Sequence, residues 1–136
     1  MQNPERNGTA LSSIRNLDYT VIFCRDMAAM VDFYQNVMEF ELERFLSDSW
    51  VEFGIGAAIL ALGLPGGRFP AEPVPPQAAA LQLAFRVPPP AVQACADALR
   101  AKGIEPLEPV ADQPFGHRTL FFRDPDDNLL EIYAEI

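Results

Sequence analysis

The pattern of apolar and polar positions predicts one order of elements in the first half of the chain. Residues 17–24 are apolar and β-branched, which is typical of a strand buried on both faces. Asp26 follows with a side chain suited to capping a helix. Apolar residues then recur at helical spacing, at Met27, Met30, Val31, Tyr34, Val37 and Met38. Three strand-like segments complete this half, at 40–45, 49–53 and 57–62.

The second half of the chain repeats this order. Residues 81–87 predict an apolar strand, and Pro88 to Pro90 end it and preset φ for the start of a helix. The apolar stripe of this helix consists of Val92, Cys95, Ala96 and Leu99. Gly103 is placed to end the helix as a C-terminal cap. Strand-like segments follow at 105–110, 117–123 and 129–136.

The repeat predicts an α+β fold in a single domain. We expect a flexible polar N-terminal segment at 1–13 and one domain at 14–136. Its two βαβββ modules span about 14–63 and 79–136, and the linker 64–78 is rich in Pro and Gly. Each module has one helix to cover one face of its sheet, so the other face must meet a partner or a ligand. Two modules side by side are expected to form a curved mixed sheet around a ligand cavity, with the helices outside.

Charge and composition exclude several classes of partner. The chain of 136 residues has 19 acidic and 10 basic residues, a formal net charge of −9 at pH 7. Such a charge repels a phosphate backbone, so nucleic acid is not an expected partner. No apolar run is long enough to span a bilayer and no signal-peptide core follows Met1, which predicts a cytoplasmic protein without a membrane partner. Cys24 and Cys95 are too few for a disulfide framework and are expected to be reduced core residues.

Several segments resemble a known superfamily. Leu17-Asp18-Tyr19 opens the first strand, Asp26 begins a helix that holds Phe33-Tyr34, and Gly116-His117-Arg118 leads to Asp-Pro-Asp-Asp-Asn-Leu-Leu-Glu at 124–131. These segments are similar to the vicinal-oxygen-chelate superfamily of glyoxalases, bleomycin-resistance proteins and extradiol dioxygenases, and the resemblance covers residues 14 to 136. In the last segment Asp127 stands where Gly is usual. Because Asp tolerates the left-handed conformation better than most residues, the hairpin is expected to form.

The resemblance implies positions for a metal site. The metal-binding members place two ligands in each module, and these positions fall on Tyr19, Ala61, Gln82 and Glu131. Only Glu131 keeps the expected chemistry, because alanine has no donor, tyrosine loses its proton at about pH 10 and a glutamine amide is a weak, uncharged ligand. Divalent first-row metals require three or four converging donors. We therefore expect no cofactor, with a weakly bound divalent metal as the alternative.

Strand alternation places the side chains at the implied ligand positions on one face of the sheet, together with their neighbours two residues away. The predicted ligand-binding residues are Tyr19, Phe23, Trp50, Gln82, Arg86, Phe115, His117 and Glu131. For Trp50 and Phe115 the alternative to an aromatic wall is a place in the core. For His117, a structural hydrogen bond is the alternative to contact with a ligand.

Glu131 is the candidate catalytic residue. In an apolar pocket its carboxylate loses hydration, which raises the pKa and allows it to transfer a proton or to hold a ligand amine. The alternatives are an edge position that faces solvent and an ion pair with Arg86.

The predicted fold and site residues are compatible with three classes of function. The first is a metal-free protein that binds a small organic molecule in the cavity and, by resemblance, forms a homodimer. The second is a lyase, isomerase or dioxygenase similar to lactoylglutathione lyase, with a non-standard or metal-free site that uses Glu131. The third is an interaction module without a ligand. Occupancy of the cavity separates the third class from the others, and metal content separates a metalloenzyme from a binding protein.

Overall fold

The computed structural model describes residues 8–13, 16–65 and 81–136. Within the predicted N-terminal segment 1–13, Ala10–Ser13 form a short 3-10 turn, and residues 1–7 lie outside the described part. Most of the predicted linker 64–78 also lies outside it, so the boundary between the modules stays a prediction.

The first module has the predicted order of elements. Strand β1 (Tyr19–Phe23) leads to helix α1 (Met27–Asp32), which continues into a π-helical turn at Phe33–Val37. Three strands follow, namely β2 (Glu41–Ser47), β3 (Trp50–Ile55) and β4 (Ala58–Gly63). They form the first sheet in the order β1-β4-β3-β2, in which β1 runs parallel to β4 and the other pairs are antiparallel.

The second module repeats this topology. It contains β5 (Gln82–Arg86), α2 (Ala91–Ala101), β6 (Ala111–Asp112), β7 (His117–Arg123) and β8 (Leu129–Glu135). The second sheet has the order β5-β8-β7-β6, and β5 is parallel to β8. The two-module α+β fold is therefore confirmed. No helix in the described ranges is long and apolar enough to cross a membrane.

The strand predicted at 105–110 is wrong. Strand β6 consists only of Ala111–Asp112, and the segment before it is irregular. Pro106 and Pro109 have no backbone N–H to donate to a neighbouring strand, so two of the six residues in this segment cannot donate to a ladder. One backbone bond remains, from Leu107 N to Phe121 O at 2.8 Å.

The prediction that the strand at 17–24 is buried on both faces is also wrong. In β1, Ile22 is buried, whereas Tyr19 and Phe23 are 42% and 49% exposed. In the described ranges, α1 packs against β4 of the first sheet and α2 against β7 and β8 of the second, next to the core side of each. An apolar strand in this fold therefore has one face in the core and one face without a helix above it.

Local signals at the element ends are confirmed. The Asp26 carboxylate accepts a hydrogen bond from Ala29 N at 3.1 Å and caps α1. Gly103 has φ of 84° and follows the end of α2. Asp127 has φ of 66°, so it adopts the left-handed conformation expected where the superfamily usually has Gly.

A buried polar network joins the two modules. The Asp124 carboxylate accepts hydrogen bonds from the Tyr34 hydroxyl at 2.7 Å and from the Asn128 amide at 2.9 Å. The Asp126 carboxylate accepts from the backbone N of Arg25 at 2.7 Å and of Asp26 at 3.3 Å, where α1 begins. The segment that gave the most specific resemblance therefore attaches the last hairpin of the second module to the helix of the first.

Candidate functional site

In the part of the chain that the structure describes, one side of each sheet has no helix above it, and we call this side the open face. In the first sheet, strand register places on the open face three rows of cross-strand neighbours: Tyr19–Ile59–Gly54, Val21–Ala61–Glu52 and Phe23–Gly63–Trp50. The opposite side carries the core residues, among them Ile22, Leu60 and Phe53. The predicted residues Tyr19, Phe23 and Trp50 are therefore brought together on one surface.

A carboxylate that sequence reasoning missed lies at the centre of this face. Glu52 is 7% exposed, and its Oε2 accepts a hydrogen bond from Trp50 Nε1 at 2.8 Å. Its Oε1 accepts from the Tyr19 hydroxyl at 3.4 Å. The alternation of Trp50, Glu52 and Gly54 along one strand was the available signal, because it places Glu52 on the same face as Trp50.

The Tyr19 hydroxyl is a hydrogen-bond donor in this arrangement. Loss of hydration and the neighbouring Glu52 carboxylate raise its pKa above the ordinary value of 10.0, because both disfavour a phenolate. A tyrosine ligates a metal ion as the phenolate. The environment of Tyr19 therefore works against a role as metal ligand.

The position of the Trp50 ring depends on Gly63. A Cβ atom at residue 63 would lie 3.1 Å from Cε3 and 3.2 Å from Cζ3 of Trp50. The indole therefore rests directly on the backbone of β4, at a place where another side chain would have to push it away. This contact orients the indole N–H toward Glu52.

The second open face has its own carboxylate. Glu131 is half-buried, and its Oε1 accepts a hydrogen bond from Gln82 Nε2 at 3.2 Å. Strand register places Ala84 on one side of Glu131 and Phe121 on the other. The alternative ion pair with Arg86 is not formed, because Arg86 pairs with Glu135 at 3.2 Å on the exposed surface.

Aromatic rings lie near the end of the second open face. The His117 ring stacks on Tyr133, with centroids 4.8 Å apart, and meets the edge of Phe115 at 5.3 Å. Phe115 is 71% exposed, so it is not a core residue. His117 thus lies on the same sheet as Glu131 and Gln82, and Phe115 lies in the turn before β7, at a surface that a ligand can reach.

The predicted site residues therefore form two groups, one on each sheet. Among the residues that the structure describes, no hydrogen bond or ion pair joins the group of Tyr19 and Glu52 to the group of Gln82 and Glu131. A cleft of about 120 Å³ at the end of β1 is lined by both modules, including Phe23, Leu81 and Asp126. This volume is below the roughly 300 Å³ at which small-molecule pockets begin.

The residues present do not fit a divalent metal. Ala61 has no donor atom, Tyr19 is held as a neutral donor, and Gln82 already donates to Glu131. In the described ranges no three His, Cys, Asp or Glu side chains converge as metal ligands. Glu52 adds a single carboxylate beside Ala61, which leaves this position short of the three or four converging donors that such a metal requires.

The cysteines have a structural environment. Cys24 is buried, and burial, together with the nearby Asp126 and Asp124 carboxylates, raises its pKa to about 12. Burial also raises the pKa of Cys95. Both are free thiols, and neither has the electropositive surroundings of a reactive cysteine.

Comparison with known proteins agrees with this architecture. A sequence profile described as the Glyoxalase/Bleomycin resistance protein/Dioxygenase superfamily matches residues 16–132. The glyoxalase domain-containing protein RDO1 of Mycosarcoma maydis is 33% identical over 135 residues, which cover 88% of this chain and 68% of that protein. A crystal structure of a glyoxalase/bleomycin resistance protein/dioxygenase from Nocardioides superposes with a TM-score of 0.79 at 25% identity, covering 91% of this chain and 85% of that one. Lactoylglutathione lyase from Agrobacterium tumefaciens superposes with a TM-score of 0.72 at 24% identity, covering 88% and 92%.

Proposed function

Since the chain belongs to the Glyoxalase/Bleomycin resistance protein/Dioxygenase superfamily, we propose that it binds a small organic molecule on the open faces of its sheets without a metal ion. One observation carries this proposal. Each open face holds a carboxylate that accepts a hydrogen bond from the first strand of its own sheet, Glu52 from Tyr19 and Glu131 from Gln82. Neither carboxylate has a cationic partner in an ion pair within the described ranges.

The surroundings of these carboxylates support a ligand that is partly aromatic. Small-molecule sites are mostly apolar and have a few polar groups that fix orientation. On the second open face, Ala84 and Phe121 flank Glu131, and the rings of Tyr133 and His117 lie further along the same face. A flat apolar molecule with one hydrogen-bond donor matches this surface.

A homodimer is part of the proposal. Tyr19 and Phe23 leave large aromatic side chains exposed on the first open face of a single chain. An exposed apolar surface of this kind is typical of a face covered by a partner or a ligand. A second copy across a two-fold axis would enclose a ligand between open faces and remove it from water.

An enzyme of the same superfamily is the second candidate, as a lyase, isomerase or dioxygenase with Glu131 as the acid or base. The observation in its favour is that Glu131 has no ion-pair partner among the described residues. Its hydrogen-bond partner is the neutral amide of Gln82, and Arg86 is turned away to Glu135. A carboxylate without a cationic partner in a half-buried position can accept a proton from a substrate.

Native mass spectrometry of the freshly purified protein tests the proposal. We expect dimers that carry an organic adduct and no divalent metal, and we expect the adduct to be lost on denaturation. A matched Glu131→Gln preparation is expected to carry less adduct. Protein that is free of adducts, and whose melting temperature is unchanged by a library of aromatic compounds, would contradict the binding function. Turnover of a compound by wild type but not by Glu131→Gln would favour the enzyme.

A further inference from the structure

Glu52 is a nearly buried carboxylate whose hydrogen-bond donors are both neutral. An ionised carboxylate has about four lone-pair positions. Here Oε2 accepts from Trp50 Nε1 at 2.8 Å and Oε1 from the Tyr19 hydroxyl at 3.4 Å, which is long for a hydrogen bond between oxygens. Two acceptor positions therefore remain, and the bond to Tyr19 is weak enough to yield to a better donor.

The groups around Glu52 favour positive charge. The indole N–H of Trp50 and the hydroxyl of Tyr19 both point at the carboxylate, so two aromatic rings flank it. A cation held at Glu52 would lie within reach of both π-systems. The Glu43 side chain reaches over Gly54 on the same sheet. Loss of hydration and Glu52 raise the pKa of Tyr19 most, Asp18 raises it further and Arg44 lowers it, so the carboxylates outweigh the one nearby cation.

Arg44 is the cation nearest to this group in the strand register. It lies opposite Glu52 on β2, but the two side chains form no ion pair within the described ranges. The formal net charge of −9 adds a general attraction for cations.

We propose that the open face of the first sheet binds an organic cation, a protonated aryl-alkyl amine whose ammonium group donates to Glu52 between the rings of Trp50 and Tyr19. This inference rests on the proposed binding function and names the class of ligand. Gly63 helps to position the recognition group, because a side chain at this residue would crowd the indole, which rests on β4 and donates to Glu52.

Intrinsic fluorescence tests the inference directly, because Trp50 is the only tryptophan of the chain. The two probes are benzylammonium and benzyl alcohol, which share a ring and differ in charge. Benzylammonium is expected to change the Trp50 emission saturably and to bind roughly tenfold more tightly than benzyl alcohol, since hydrogen bonds to a charged group are the stronger ones. In Glu52→Gln, whose amide retains the shape and an acceptor for the indole, the preference for the cation should disappear.

The control variant is Glu105→Gln, which removes one negative charge from an exposed side chain on the other module. It should retain the full preference for benzylammonium, which separates a local carboxylate from the general charge of the protein. Gly63→Ala should weaken benzylammonium binding and shift the emission of the free protein, because the indole is displaced.

Equal binding of the two probes by wild type would overturn the inference and leave the binding function intact. No emission change with either probe would also overturn it, and native mass spectrometry then decides the binding function separately. The comparison of probes on wild type remains decisive even if Glu52→Gln does not fold.

Discussion

The two open faces share one hydrogen-bonding arrangement, but the strand that supplies the carboxylate differs. In both sheets the first residue of the first strand donates a hydrogen bond to a carboxylate, Tyr19 to Glu52 and Gln82 to Glu131. In the second sheet the carboxylate is on β8, directly beside the parallel strand β5. In the first sheet the corresponding position on β4 is Ala61, and the carboxylate is its cross-strand neighbour Glu52 on β3.

This difference shows that two different strands of the same sheet topology can supply a carboxylate to the open face. At the ligand position that the resemblance implies for its last strand, the first module has no carboxylate, because Ala61 has no donor atom. The register shows that an acidic group lies across the strand pair from it. Glu52 is also more buried than Glu131 and has an indole as its second donor. The two faces are therefore expected to differ in selectivity rather than in the presence of a polar group.

Asp124→Ala should have the largest effect of these changes, which is on the free energy of unfolding. Unlike the carboxylates on the open faces, Asp124 is expected to stabilise the fold. Removal of this carboxylate leaves the Tyr34 hydroxyl and two buried backbone N–H groups without their acceptor, at a cost of about 3 kcal/mol or more. Urea denaturation followed by circular dichroism measures it. The exposed control Glu105→Ala should remain within about 0.5 kcal/mol of wild type. Equal losses in the two variants would show that the network between the modules contributes little.

Glu131→Gln tests the second face and should change binding more than folding. Gln keeps the size of the side chain, and Arg86 does not depend on Glu131 for an ion pair. We expect stability within about 0.5 kcal/mol of wild type. The ligand identified by native mass spectrometry should bind roughly tenfold more weakly, since a charge-assisted hydrogen bond is lost. A large fall in melting temperature with unchanged ligand response would identify Glu131 as a structural residue.

Spectrophotometric titration of tyrosine tests the contact between Tyr19 and Glu52. Burial and the Glu52 carboxylate raise the Tyr19 pKa, so this phenol should ionise above pH 10 in the folded protein. Because the folded-state pKa is the higher one, the contribution to stability is present below pH 10 and decreases as the pH rises through that pKa. Glu52→Gln should move the transition back toward 10, and Tyr19→Phe should remove it. An unshifted transition in Glu52→Gln would contradict the contact.

Metal removal should have the smallest effect on either face. We expect a chelator to leave the melting temperature and ligand binding unchanged, because the residues at the superfamily's ligand positions do not form a donor set. Elemental analysis after dialysis measures the metal content. About one zinc, nickel, manganese or iron per chain would overturn this prediction and would favour the metalloenzyme.

The sequence by itself determined the parts of this protein that depend on local pattern. The repeated order of strand, helix and strands follows from hydrophobic periodicity, and the cap at Asp26 and the left-handed Asp127 follow from backbone chemistry that acts within a few residues. The superfamily resemblance could likewise be recognised from the sequence alone, because its most specific segment is continuous in the chain. Pro106 and Pro109 by themselves argue against a strand at 105–110, because neither has an N–H to donate.

The tertiary structure alone decided which residues share a face and a partner. Glu52 lies 33 residues from Tyr19 and joins it only through the pairing of β1, β4 and β3. Arg86 likewise pairs with Glu135 and not with Glu131. Which side chains meet across a sheet depends on strand register and not on distance along the chain. Strand alternation gives two faces, but the strand itself does not say which face the helix will cover. The position of the helix placed Ile22 in the core and left Tyr19 at the surface.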